Sequence, residues 1–228
     1  MVTRGQTGRI IPVSRLKGHR STTKYFSWKR LFDIGFSLNV LVLLSPLYLA
    51  IAILIYFSSS GSVFYSQQRV GKNARIFSCT KFRTMVPGAD QVLQDLLDRC
   101  PEYRAEFEEN YKIKNDPRIT PIGKWLRYTS LDELPQFWHV LTGDMSVVGP
   151  RPLVPEELIR YGNAIDQILT VRPGITGLWQ VSGRNNISYQ QRVLLDLHYS
   201  RLHNLVLDLV IIFKTIAIVL FPKGNGAY

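Results

Sequence analysis

The chain has 228 residues, enough for one modest domain with a real hydrophobic core and an attached anchor. It carries 28 Lys and Arg against 17 Asp and Glu, a formal net charge of +11, and only two cysteines. Cys79 and Cys100 have neither CxxC nor Cys/His spacing, which argues against a disulfide framework and a zinc site and leaves reduced thiols as the expectation.

Residues 1–27 read as a basic flexible tail. Arg4, Arg9, Arg15, Lys17, Arg20, Lys24, Lys29 and Arg30 all precede the first acid, Asp33. Such a block suits an anionic lipid surface or a nucleic acid, or is simply a solvated tail. The later sequence offers no nucleic-acid recognition motif, so no nucleic-acid partner is expected.

Residues 31–57 form the strongest apolar stretch, long enough to reach across a bilayer. Ser45-Pro46 interrupts it. Pro46 removes a backbone donor and biases Ser45 away from helix, so a kink at membrane depth is expected here. Both flanks are basic: Lys29 and Arg30 before, and Arg69, Lys72, Arg75, Lys81 and Arg83 after. Basic flanks stay in the cytoplasm. A segment that enters, bends and returns satisfies both flanks; a Pro-kinked spanning helix is the alternative.

Residues 62–85 read as a hairpin turning at Gly71-Lys72-Asn73. Residues 88–111 have helical spacing broken by Pro101, and helices are expected over 130–142 and 187–203. The last apolar stretch, 205–221, is interrupted by Asp208 and Lys214. It fits an amphipathic helix in a membrane interface, or a core helix.

Ser130-Leu131-Asp132-Glu133-Leu134-Pro135-Gln136 is the most informative run. Ser130 and Glu133 have the S-x-x-E spacing of a capping box, and acids suit a helix start. Read alone, capping is the simpler account. However, Lys81, Arg83, Arg118, Arg127, Arg151, Arg172 and Arg184 lie in Gly/Pro-rich or strand-like segments. Guanidinium groups in rigid backbone suit phosphate, and acids among them suggest phosphate chemistry with a divalent metal.

From Trp28 onward the chain resembles the bacterial sugar transferases called monotopic phosphoglycosyl transferases. The resemblance rests on an ordered series: Lys29-Arg30-Leu31-Phe32-Asp33, Leu44-Ser45-Pro46, Gly61 to Gln67, Lys81-Phe82-Arg83-Thr84-Met85, Asp116 to Thr120, Ser130 to Gln136, Gly143 to Ser146, Val148 to Pro152, Arg172 to Gly177, Trp179 to Arg184 and Gly226-Ala227-Tyr228. Each is weak alone; the series together is specific. His139, where the family often has Asn, and the stretch 199–204 depart from the pattern without touching the acid pair. His139, His198 and His203 are read as structural.

The resemblance implies an α/β protein: a mostly helical membrane-associated domain with a re-entrant hydrophobic helix (28–58, kinked at Ser45 and Pro46), a small β-hairpin and interfacial amphipathic helices. Residues 59–228 would be a catalytic domain on the cytoplasmic face of the bacterial inner membrane. It implies a ping-pong reaction in which Asp132 is the nucleophile and Glu133 binds Mg²⁺. Lys81, Arg127, Arg151 and Arg184 would bind substrate phosphates, with Asp196 a further polar candidate. The implied partners are membrane lipid, undecaprenyl phosphate and a UDP-sugar, UDP-galactose ahead of UDP-glucose. A homodimer is compatible with this reading. The chain is expected to act at the first membrane step of exopolysaccharide or related glycan assembly. The alternative is a membrane-anchored, non-catalytic scaffold for glycan assembly enzymes, in which the acid pair only caps a helix.

Overall fold

The computed structural model describes residues 28–110, 113 and 115–221. The basic tail and the terminal Gly226-Ala227-Tyr228 run lie outside the described residues.

The first apolar segment is two helices, α1 (Trp28–Leu43) and α2 (Ser45–Ser58), bent by 60°. The break falls at Leu44, and Pro46 occupies the first turn of α2, where its missing N–H costs nothing. Among the described residues no single helix is long and apolar enough to cross a membrane; the bent pair passes that test together, as a broken span or a re-entrant loop. Leu38, Val42, Leu43, Leu49 and Phe57 are exposed, a density of surface apolar groups that water alone does not support.

The apolar segment is tied to the domain by a buried polar knot. Asp33, on α1, accepts from Ser146 Oγ (2.8 Å) and Val147 N–H (3.2 Å). Lys29 Nζ lies 3.5 Å from Asp33 Oδ1 and 2.6 Å from Asp208 Oδ2, and Tyr199 OH donates to Asp208 Oδ1 at 2.7 Å. Asp208 belongs to α10 (Leu205–Leu220), so one cation joins the first and last described helices.

The hairpin forms as expected. Strands β1 (Phe64–Val70) and β2 (Ile76–Phe82) pair antiparallel, with Phe64 opposite Phe82 and Tyr65 opposite Lys81. Helices α3 (Ala89–Arg99) and α4 (Pro101–Asn110) break at Cys100-Pro101. Then come α5 (Pro121–Thr129), α6 (Gln136–Thr142) and β3 (Ser146–Val148). Beyond them lie the short helices α7 (Leu158–Tyr161) and α8 (Ile165–Ile168), β4 (Gly174–Thr176) and α9 (Tyr189–Leu202).

The parallel pairing of β3 with β4 has no counterpart in the expectation from sequence. Three-residue strands are too short to show alternation. Their close approach rests on small residues: a Cβ at Gly174 would lie 2.0 Å from Gly149 N.

Helix α10 also departs from a simple amphipathic helix. It buries Asp208, Ile211 and Ile212 against the domain, yet exposes Val206, Phe213, Ile216 and Leu220 on the other side. One face is core, as a core helix would be, and the other is an uncovered apolar surface. Exposed apolar groups also occur on α5, at Trp125 and Tyr128.

Candidate active site

Strand alternation positions the first cation. Phe82 is buried in the core beside Leu126 and Ile55, so its neighbour Lys81 points to the opposite face of β2.

Helix α5 positions the second. Thr120 caps it, accepting from Gly123 N–H at 2.9 Å, and Pro121 sets the first turn. Gly123 is pressed against the segment after β2; a Cβ there would lie 2.0 Å from Thr84 O. This contact brings Arg127, one turn later, to donate from Nε to Thr84 Oγ1 at 2.9 Å.

The expected capping box at Ser130 and Glu133 does not form. Ser130 terminates α5 with a left-handed backbone (φ 59°) and leads into the next turn without a side-chain cap. Its N–H bonds Arg127 O at 3.2 Å, and its hydroxyl accepts from Arg184 Nη2 at 3.1 Å. The helix expected over 130–142 is accordingly a 3₁₀ turn, Leu131–Glu133, followed by α6. Pro135 lacks the N–H a continuous helix would need and its ring would crowd the preceding turn. Tyr48 of α2 donates its hydroxyl to Leu134 O, fixing this turn to the bent apolar helices.

The turn presents the acid pair. Asp132 is buried and Glu133 is partly exposed. Lys81 Nζ lies 2.5 Å from Glu133 Oε1 and 3.9 Å from Asp132 Oδ2. Burial pushes the Asp132 carboxyl up to about 6; the charges of Lys81 and Arg127 pull against this, and that of Glu133 adds to it. Burial would also raise Glu133, but the charge and hydrogen bond of Lys81, with Arg151 and Arg184, hold it below the usual carboxylate range. The two acids are thus separated: one basic and buried, the other firmly ionised.

The structure sorts the sequence's cations. Lys81, Arg127, Arg151 and Arg184 all act electrostatically on the acid pair. Arg83, Arg118 and Arg172 serve the scaffold. Arg83 bonds Ser59 O and Ser60 O at the end of α2 (both 2.8 Å), Arg118 forks onto Asp116, and Arg172 bonds Gly143 O at 2.8 Å.

Asp196 is fully buried on α9, where Tyr161 OH donates to it at 3.0 Å. Its neighbours include the Arg151 charge and backbone, and burial pushes its carboxyl up to about 7. It therefore sits beside Arg151 out of solvent. His139 is structural as expected: its Nε2 accepts from Thr80 N–H at 3.0 Å, and its ring meets Phe77 edge-on.

Sequence reasoning missed Arg69, counted only as flanking charge. It is buried on β1, donates to Pro152 O (3.0 Å) and Gln67 Oε1 (2.7 Å), and so props the turn that carries Arg151. Trp179 entered the sequence reading only as the start of the Trp179 to Arg184 run. Its buried ring takes the guanidinium carbons of Arg192 and Arg151 at 4.9 and 6.0 Å from its centroid.

Mg²⁺ is commonly held by one or two carboxylates, water and substrate phosphates. Among the described residues no three His, Cys, Asp or Glu side chains converge, so the donor set on offer is the Asp132–Glu133 pair. Glu133, ionised and part-exposed beside Asp132, fits such a shared site.

Fold and site together define a class: a small helical domain carrying a bent apolar helix pair, with a carboxylate pair set among four cations. The chain belongs to the bacterial sugar transferase family, whose model matches residues 24–222. It is 49% identical over 202 residues to a UDP-galactose-lipid carrier transferase of Erwinia amylovora, covering 88% of this chain and 41% of that protein. It is 44% identical over 220 residues to the exopolysaccharide production protein ExoY of Sinorhizobium fredii, covering 96% and 92% respectively. It is 39% identical over 199 residues to a UDP-glucose:undecaprenyl-phosphate glucose-1-phosphate transferase of Klebsiella pneumoniae, covering 83% and 39%. The chain thus spans about two fifths of the Erwinia and Klebsiella proteins and nearly all of the Sinorhizobium one.

Proposed function

We propose that this protein transfers hexose-1-phosphate from a UDP-sugar to undecaprenyl phosphate, giving undecaprenyl-diphosphate-sugar and UMP. The observation that carries the reading is the Asp132–Glu133 pair, bridged by Lys81 at 3.9 and 2.5 Å and driven to different basicities by burial and by the charges of Lys81, Arg127, Arg151 and Arg184. A capping role leaves this arrangement without a purpose, because neither side chain caps a helix.

The reaction has two steps. An Asp132 carboxylate oxygen bonds to the sugar-side phosphorus while the P–O bond to UMP breaks, and UMP departs with the electron pair. A phosphate oxygen of undecaprenyl phosphate then attacks the same phosphorus, and the Asp132 carboxylate departs. Burial makes Asp132 more basic than an exposed aspartate, while Lys81 and Arg127 keep enough of it ionised at neutral pH. Arg151 and Arg184 face the charge on the phosphates. Mg²⁺, held through Glu133, would offset phosphate charge that otherwise repels the attacking carboxylate.

The bent α1–α2 pair is read as re-entrant, with the uncovered faces of α10 and α5 at the interface of the bacterial inner membrane and the site on its cytoplasmic side. Galactose is favoured, since the galactose-named relative is 49% identical and the glucose-named one 39%. The place of the reaction is the first membrane step of exopolysaccharide assembly.

The test is UMP release from a panel of UDP-sugars with Mg²⁺ and undecaprenyl phosphate, for wild type and Asp132→Asn. Release by the wild type alone supports the reading and identifies the sugar. No release by folded protein with any sugar favours the scaffold reading. Equal release from both proteins removes Asp132 as nucleophile.

A further inference from the structure

A second group of cations lies around Gly143, at the end of α6. Arg172 Nε donates to Gly143 O at 2.8 Å. Arg30 donates to Val140 O and Leu141 O, and a Cβ on Gly143 would lie 3.4 Å from Arg30 Nη2. The hairpin tip brings two more. Asn73 and Ala74 turn the chain with left-handed backbone, φ 55° and 60°. Asn73 N–H bonds Leu169 O at 2.8 Å, which fixes the tip to the segment leading into Arg172. Lys72 and Arg75 flank this tip. Arg75 Nη2 lies 4.0 Å from Asp144 Oδ1. Partial burial, and then the nearby Arg172 guanidinium, hold the Lys72 ammonium below its ordinary value.

Like charges gathered in this way repel one another unless an anion offsets them. The protein supplies little to do so. Asp144 already accepts from Thr142 Oγ1 at 3.0 Å. Asp33, one turn along α1 from Arg30, is occupied by Ser146, Val147 and Lys29. Among the described residues neither Lys72 nor Arg172 pairs with an acid. Arg172 spends its Nε on Gly143 O, and its two terminal amino groups keep the fork geometry that phosphate takes. The charges acting on Asp132 and Glu133 are those of Lys81, Arg127, Arg151 and Arg184, so this cluster is a second one.

Its place in the fold names the anion. Arg30 directly precedes Leu31, and Leu31, Ile34, Leu38 and Val42 are exposed along one stripe of α1. The stripe runs for about 16 Å at the helical rise per residue. Trp28, 83% exposed, stands just ahead of it, where indoles favour the boundary between hydrocarbon and headgroups. Hydrocarbon covering the stripe would end at the first turn of α1, so the phosphate layer of a bilayer falls at the level of Arg30.

We infer that Lys72, Arg75 and Arg172, backed by Arg30, form a site for the headgroup phosphate of an anionic phospholipid, separate from the catalytic centre. A lipid held there fastens the hairpin tip and the end of α6 to the membrane surface. The inference rests on the membrane placement proposed above and is independent of the transfer chemistry.

The probe is phosphatidylglycerol. The full chain is reconstituted in phosphatidylcholine vesicles with a trace of phosphatidylglycerol carrying a photoreactive group on its headgroup. Crosslinks are expected in peptides holding 72–75, 142–144 or 172, and unlabelled phosphatidylglycerol should displace them. Lys72→Gln is expected to need about fivefold more phosphatidylglycerol for half-displacement, the scale of one cation at an anionic lipid surface. Lys72→Arg is expected to recover the wild-type value. Arg75→Gln, at a side chain 80% exposed, is a second variant expected to act as Lys72→Gln does. An unchanged melting temperature in detergent reports that each variant is folded. Crosslinks elsewhere, or equal displacement in wild type and both glutamine variants, overturn the proposal. Displacement by added phosphatidylcholine overturns it too, since the headgroup charge is then not read. Displacement by millimolar inorganic phosphate puts a free phosphate at the cluster and rejects the lipid. A chain that does not sediment with the vesicles sinks the membrane placement and this site with it, a failure seen before any crosslink is formed. Loss of UMP release alone bears on the transfer chemistry and moves none of these readouts.

Discussion

Arg184 donates to the Ser130 hydroxyl at 3.1 Å, and both residues hold left-handed backbone, with φ of 51° and 59°. Non-glycine residues adopt this conformation at a cost, and it persists where the surroundings enforce it. The bond ties the turn that presents Asp132 and Glu133 to the segment that brings Arg184. Ser130→Gly is expected to leave the melting temperature nearly unchanged, since relief of strain offsets the lost bond. Ser130→Val, β-branched and unable to accept the bond, is expected to destabilise by about 1–3 kcal/mol. Thermal unfolding in detergent micelles checks both.

Among the described residues Lys81 alone pairs with both acids, at 2.5 Å to Glu133 and 3.9 Å to Asp132. Lys81→Met keeps the length of the stem and removes the charge. The expected result is a loss of at least about a hundredfold in the rate of UMP release, the scale of losing one preorganised electrostatic partner. Lys81→Arg is expected to rescue poorly, because the planar fork cannot occupy the same point between two carboxylates. Single-turnover kinetics separate these outcomes.

Asp196 carries a pH signature. Its carboxyl is raised to about 7 in the folded protein by burial. A raised pKa means that the protonated form is the one the fold prefers. Its contribution to stability is complete below the unfolded-state value near 4 and is lost as pH rises through about 7. Asp196→Asn keeps an acceptor for Tyr161 and removes the ionisation. The variant is expected to gain on the wild type by about 2–4 kcal/mol between pH 5 and pH 8.5. Equilibrium unfolding at the two pH values checks it, with the variant-minus-wild-type difference cancelling all other titrating groups.

Asp33 is the anchor point of the apolar segment, accepting from Ser146 and Val147 and facing Lys29. Asp33→Ala leaves those buried donors without their acceptor and is expected to cost about 3–5 kcal/mol. Proteolysis between α2 and the hairpin should accelerate in the variant, while Asp33→Asn should lie between it and wild type.

Much of this architecture is legible along the chain. The hairpin declares itself by aromatic and β-branched residues around Gly71-Lys72-Asn73, and α4 starts at Pro101 because proline suits a first turn. The bend at Ser45-Pro46 follows from backbone chemistry alone. Helix α9 falls close to its expected bounds, with Ser188 capping it and accepting from Gln191 N–H at 3.3 Å. The spacing of Ser130 and Glu133 was misleading for a local reason: the same two residues close a helix in one backbone conformation and end one in another, and the spacing does not distinguish them.

The order of residues determined the hairpin, helix α9, the kinked apolar segment and the identity of the acids and cations, because those depend on local stereochemistry and residue chemistry. It could not decide which of seven cations face the acids, that β3 and β4 pair, or that Arg69 supports Arg151. Those outcomes depend on contacts between residues far apart in the chain. One such contact is Gly123 seated against Thr84, which brings Arg127 close enough to act on Asp132. The same holds for basicity. Asp132 and Glu133 are neighbours with nearly equal chemistry, and only burial and the placement of Lys81, Arg127, Arg151 and Arg184 drive them apart.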